Sequence, residues 1–124
     1  MYGSAYRDRG IDEAFAIPDE LTKLVHLKYL SFGAMGISSL PDDFDKLISL
    51  EYLDLYSGRF ESFPEPLTRM PNLRHLFLDQ CDIVSVPDAV GNMSGLKNFS
   101  MDSNMLTGNI SASLSKLQIG RAHV

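Results

Sequence analysis

One residue pair recurs along this chain at a fixed interval. Ile17-Pro18, Leu40-Pro41, Phe63-Pro64 and Val86-Pro87 stand 23 residues apart, and Ile110-Ser111 follows at 24. A period of this length constrains the fold more than any other feature. A unit so small cannot bury its own apolar side, so successive units must stack into one continuous core.

The apolar positions inside each unit repeat with the same step. Leu27, Leu30, Phe32 and Ile37 correspond to Leu50, Leu53, Leu55 and Phe60. They correspond in turn to Leu73, Leu76, Leu78 and Ile83, and to Leu96, Phe99, Met101 and Leu106. A second set follows each proline slot: Leu21 and Leu24, Phe44 and Leu47, Leu67 and Met70, Val90 and Met93, Leu114 and Leu117. Two spacings coexist. Leu53 and Leu55 are two apart, as one buried face of a strand requires. Leu47 and Leu50 are three apart, as a helical turn leading into a strand gives. Each unit therefore reads as a short strand, a bend and one or two helical turns. The strands are expected near 28–32, 51–55, 74–78 and 97–101, side by side and parallel. Pro18, Pro41, Pro64 and Pro87 suit a first helical position, where a missing N–H costs nothing. Acids follow them (Asp19, Glu20, Asp42, Asp43, Glu65, Asp88) and Lys23, Lys46, Arg69 and Lys116 come a turn later, which complements the helix dipole.

This arrangement resembles the leucine-rich repeat family, in the form L-x-x-L-x-L-x-x-N-x-L-x-x-L-P-x-x-L-x-x-L, from about Ile17 to Leu117. The proline-bearing units look like the Ras-suppressor-like and plant resistance-protein types. Asn104-Met-Leu-Thr-Gly-Asn-Ile-Ser-Ala-Ser-Leu looks like the plant receptor type, with Ser111 where proline is usual. The resemblance implies an α/β fold: a right-handed leucine-rich repeat solenoid, arched like a horseshoe, with a parallel sheet on its concave side and short helices on its convex side. The family's asparagine slot falls on Met35, Gly58, Cys81 and Asn104. The ladder of side-chain-to-backbone bonds implied for that slot is thus complete at Asn104 alone, weak at Cys81 and missing at Met35 and Gly58.

Residues 1–16 do not continue the pattern and are expected to be irregular. Residues 17–118 hold four full units and a partial fifth. Ile119-Gly-Arg-Ala-His-Val matches the translation of a common sequencing adapter, so 119–124 are set aside as a non-native tail. Neither end shows a recognisable capping unit, and the chain reads as part of a longer protein.

Composition narrows the function. Apolar residues make up 44% and charged residues 22% of the 124, as in a globular domain, with a net charge of −5. No basic patch suggests nucleic acid. No apolar run approaches the roughly 20 residues that span a bilayer. The lone Cys81 excludes an internal disulfide and favours a reducing, cytoplasmic setting. Three sequons, Asn92-Met-Ser, Asn98-Phe-Ser and Asn109-Ile-Ser, argue in the opposite direction, for an extracellular receptor segment.

Alternation along each strand turns one column inward and the next outward. The outward columns are Tyr29, Tyr52, His75 and Asn98; Ser31, Asp54, Phe77 and Ser100; and Gly33, Tyr56, Asp79 and Asp102. Stacked strands lie about 4.8 Å apart, so these columns form one surface. Its middle is aromatic, an acidic set lies beside it, and Lys28, Glu51, Arg74 and Lys97 line one edge, as in interface hot spots, although sheet surfaces favour Tyr and Phe in any case. The expected partner-binding residues are Tyr29, Tyr52, Asp54, Tyr56, His75, Phe77, Asp79 and Asp102. No phosphate loop, dinucleotide fingerprint, zinc pattern or nucleophile elbow occurs, so no cofactor, metal or catalytic residue is assigned. Cys81 and His75 invite a thiol–imidazole reading, but the register turns one inward and the other outward, beyond the reach that such a pair needs. The chain therefore reads as a monomeric, non-enzymatic module that binds another protein or peptide on its concave face. The alternative is a ligand-sensing segment of a receptor kinase or nucleotide-binding resistance-type protein.

Overall fold

The computed structural model describes residues 16–106 and the backbone of Arg121–His123. Five strands form one parallel sheet in chain order: β1 (Tyr29–Ser31), β2 (Tyr52–Asp54), β3 (His75–Phe77), β4 (Asn98–Ser100) and β5 (Arg121–His123). The 23-residue period becomes the register. Leu30 stands opposite Leu53, Leu53 opposite Leu76, and Leu76 opposite Phe99. The regular strands are only three residues long, yet their hydrogen bonding runs further. The Tyr52 N–H donates to the Lys28 carbonyl at 3.0 Å, and the Ala34 N–H donates to the Tyr56 carbonyl at 2.8 Å. The sheet thus joins units from 28 to 34, 51 to 57 and 74 to 80. β5 lies within the segment set aside from the sequence as a tail, and its backbone continues the ladder, with Ala122 opposite Phe99. The fifth unit's Ile110, Leu114 and Leu117 lie outside the described residues, as does the N-terminal stretch before residue 16.

Four short 3-10 helices, here η1 (Asp19–Lys23), η2 (Phe44–Lys46), η3 (Glu65–Arg69) and η4 (Asp88–Asn92), line the convex side. The apolar spacing of three is compatible with this 3-10 geometry. In a 3-10 turn residues i and i+3 eclipse, so one side chain in three faces the same way. The Leu67 N–H donates to Pro64, Met70 to Leu67 and Leu73 to Met70; the same chain of i to i−3 bonds repeats in each of the four units among the described residues. The prolines fall short of the expected first helical position, Pro18, Pro64 and Pro87 by one residue and Pro41 by three. Pro18, Pro64 and Pro87 are extended and precede their helices, each offering its carbonyl to the first turn.

The core runs the length of the stack. Leu50, Leu53, Leu55, Leu73, Leu76, Leu78, Phe99 and Met101 are at most 1% exposed. The first unit is looser. Leu21, Leu27, Leu30 and Phe32 are only partly buried, and Leu24, expected inside, is 53% exposed. Its equivalents Leu47, Met70 and Met93 are buried. Among the described residues the first unit has a neighbour on one side only, and a solenoid unit owes its burial to both neighbours.

Asn104 fills its slot completely. Its Oδ1 accepts the N–H groups of Cys81 (2.9 Å) and Ile83 (3.0 Å), and its Nδ2 donates to the carbonyls of Leu78 (2.8 Å) and Met101 (2.9 Å). Cys81, fully buried, does part of this with its thiol, donating to the Leu55 carbonyl at 3.1 Å. At Gly58 a side chain has no room. A β-carbon there would stand 2.7 Å from the Phe60 ring and 2.9 Å from the Ile37 carbonyl oxygen, and the backbone bonds directly instead, Arg59 N–H to Ile37 at 2.8 Å.

A second periodic feature has no counterpart in residue type. Ala34, Ser57, Gln80 and Ser103, spaced by 23, all take left-handed backbone conformations, with φ between 56° and 62°. A side chain in that region costs on the order of 1 kcal/mol. Three of the four are held there by the next unit: Ala34, Ser57 and Gln80 donate to the carbonyls of Tyr56, Asp79 and Asp102.

Candidate protein-binding surface

The strands deliver the outward columns to one concave face. Tyr29 and Tyr52 are register partners on parallel strands, so their rings stack, with centroids 4.3 Å apart and planes 13° from parallel. Tyr52 also meets His75 (5.9 Å, tilted 44°) and Phe77 (5.4 Å, tilted 46°). It is the hub of the aromatic cluster. Tyr29 and Tyr56 are 60% and 40% exposed, while Tyr52, His75 and Phe77 are half-buried by their neighbours. The Tyr56 ring lies over Gly33, where any β-carbon would collide with it.

The acids occupy the ends of the same strands. Asp54 Oδ1 accepts the Tyr56 N–H at 3.2 Å. Asp79 Oδ1 accepts the Ser100 hydroxyl at 2.5 Å and the Asp102 N–H at 2.6 Å, which ties the third unit to the fourth. Burial pushes the Asp54 carboxyl above the usual aspartate range. The Tyr56 N–H and Ser31 hydroxyl oppose that shift and the nearby Asp79 charge adds to it. Burial likewise raises the Tyr52 phenol, helped by Tyr29 and Asp54. The eight residues expected at a partner site thus share one face. Three more contribute to it without having been singled out. Asn98 reaches His75 Nδ1 at 2.7 Å, Ser100 orients Asp79, and Gly33 makes room for Tyr56. All three sit in the outward columns, so register alone marks their place; their contacts depend on neighbouring units.

Cys81 and His75 are not brought together. The thiol points to the Leu55 carbonyl inside the core, whereas the imidazole engages Asn98 on the concave face. Among the described residues no group of three or more His, Cys, Asp or Glu side chains is placed to hold a metal ion, and no helix is long and apolar enough to cross a membrane.

Solved structures similar to this one include three built from leucine-rich repeats or classed as internalins. A leucine-rich repeat protein of Leptospira interrogans superposes with a TM-score of 0.75 at 24% identity, over 84% of this chain and 28% of that one. An internalin from Listeria monocytogenes gives 0.70 at 21%, over 89% and 32%. The leucine-rich repeat domain of a type III effector gives 0.55 at 22%, over 86% and 48%. The chain therefore spans between about a quarter and a half of these proteins, and at such identities the likeness is one of fold. No curated protein matches it in sequence. The model of the leucine-rich repeat region, however, matches residues 16–119, and with the register and solenoid described above the chain belongs to the leucine-rich repeat family.

Proposed function

We propose that this chain is a protein-interaction module that seats its partner on the concave sheet. Proteins built from leucine-rich repeats generally act by binding other proteins and are typically not enzymes. The observation that carries the reading is the aromatic cluster around Tyr52. Four rings converge on adjacent short strands, on a face rimmed by carboxylates. Rigid aromatic side chains bury large areas at low entropic cost, and such clusters form the energetic centres of interfaces.

The test begins with selection of random displayed peptides against the 124-residue chain, followed by titration of a selected peptide. Tyr52→Ala and Phe77→Ala should each weaken binding by about thirtyfold, the equivalent of about 2 kcal/mol. Lys46→Ala, on the convex side, should stay within about twofold. Concave variants that bind like the unaltered chain while convex variants fail would move the site to the other face.

A further inference from the structure

We propose that the concave face takes a basic segment of its partner, an arginine of which lies on the Tyr52 and Phe77 rings with its guanidinium between Asp54 and Asp79. The inference rests on the concave-face reading above and adds the chemistry of the partner to it.

Charge separates the two faces of the molecule. On the convex side three acids are paired by the chain itself: Arg69 lies 3.4 Å from Asp45 and 3.5 Å from Glu65, and Lys46 lies 3.4 Å from Asp43. On the concave side Asp54, Asp79 and Asp102 share a surface whose outward columns hold no lysine or arginine from β1 to β4; the register brings in Arg121 only at β5, opposite Asn98 and two strands from β3. Among the described residues none of these three acids forms an ion pair. Their internal partners are neutral donors: the Tyr56 N–H and Ser31 hydroxyl for Asp54, and the Ser100 hydroxyl and Asp102 N–H for Asp79. Among the described side chains this charge is oriented but not compensated.

A partner that covers this face must deal with that charge. An uncharged apolar surface would bury carboxylates without a counter-ion, and an acidic one would add repulsion. Burial and the Asp79 charge already push the Asp54 carboxyl up, so an arriving cation relieves an unfavourable arrangement rather than disturbing a settled one. The rings select the kind of cation. Asp54 and Phe77 are register partners on adjacent strands, and the Tyr52 ring leans on Phe77 at 5.4 Å. An aromatic face thus lies beside a carboxylate. A guanidinium is planar, stacks on such faces and forks its N–H groups to carboxylates, which an ammonium does less well.

Fluorescein-labelled octapeptides in which glycine alternates with arginine, lysine, glutamine or glutamate provide the probes, titrated against the full 124-residue chain by fluorescence anisotropy. The arginine peptide should bind at least tenfold more tightly than the glutamine peptide and more tightly than the lysine peptide, and the glutamate peptide should bind least. Asp54→Asn/Asp79→Asn keeps the oxygens that accept Tyr56, Ser100 and Asp102, so the fold is retained. It should weaken the arginine peptide at least tenfold. Glu61→Gln/Glu65→Gln removes the same charge from outside the concave columns and should change it less than twofold. Equal loss from both double variants would overturn the proposal by reducing it to net charge. If selected peptides lose binding with Tyr52→Ala but carry no excess of arginine, and the arginine and glutamine peptides bind alike, the basic-partner inference fails while the concave-face reading stands. If arginine peptides bind but ignore both Tyr52→Ala and the Asp54/Asp79 variant, the inference and the concave reading fail together.

Discussion

At the scale of single residues, the concave face concentrates its consequences in Tyr52 and Asp54. Tyr52 touches Tyr29, His75 and Phe77, so its removal affects the whole cluster rather than one contact. Asp54 carries a carboxyl raised above its ordinary range by burial first and by Asp79 second. The folded chain therefore holds the Asp54 proton more tightly than the unfolded chain does. Linkage then makes this group's contribution most favourable at acid pH, and it falls as pH rises through the interval between the unfolded and folded values. Asp54→Asn, which keeps the Oδ1 that accepts the Tyr56 N–H, should raise the melting temperature at pH 7, and the difference should shrink at pH 3. Thermal melts of the two proteins by circular dichroism at both pH values measure it. A variant that melts lower than the unaltered chain at pH 7 would contradict the direction assigned to Asp54.

At the scale of elements, each unit joins a strand to a 3-10 helix through side chains that serve the neighbouring unit. Asn104 is the fullest case, with four hydrogen bonds to backbone from Leu78 to Met101. Asn104→Ala leaves the Cys81 and Ile83 N–H groups and the Leu78 carbonyl without that partner. It should cost about 2 kcal/mol or more in a urea melt. Leu76→Ala, at a position with no exposure between two buried strand neighbours, should cost about 2–5 kcal/mol. Losses well below these values would show that the inward columns are misassigned. Much of this level was legible in the sequence. The spacing of two marked the strands and the spacing of three marked the turns. The spacing of three does not itself distinguish α from 3-10, and the structure resolves it: Pro64, Leu67, Met70 and Leu73 are linked by i to i−3 bonds. The outward columns were legible for the same reason, because alternation is local. The hydrogen bond from Asn98 to His75 and the room that Gly33 leaves for Tyr56 were not, because each joins residues 23 apart in ways that residue type does not encode.

At the scale of the whole molecule, stability is distributed along a stack in which each unit leans on the ones beside it. The described core is tightest in the middle units. Leu53 and Leu76 are wholly buried, whereas Leu30 is partly exposed and Leu24 is 53% exposed. Amide hydrogen exchange should follow that gradient: the N–H groups of β2 and β3 slowest, those of β1 faster. Uniform protection from β1 to β4 would show that the first unit is packed as firmly as the others. Charge follows the same large scale: Asp43, Asp45 and Glu65 are paired with Lys46 and Arg69 on the convex side, whereas among the described residues the concave Asp54, Asp79 and Asp102 form no ion pair. Neither distribution appears in the net charge of −5, which sums over both faces.

The sequence by itself determined the period, the register and the inward and outward columns. Each follows from apolar spacing, which the hydrophobic effect reads locally and repeats without change. It also marked Asn104 as the complete rung of its ladder. Only the tertiary structure decided the backbone at Ala34, Ser57, Gln80 and Ser103. None of these is a glycine or asparagine, and local preference opposes a positive φ at all four. At Ala34, Ser57 and Gln80 the N–H bond to the next unit helps hold that conformation. The stack likewise decided which apolar residues are buried. Leu24 and Leu47 occupy the same slot in sequence, but Leu47 is 1% exposed and Leu24 53%, because a solenoid position is buried by its neighbours and not by its own composition.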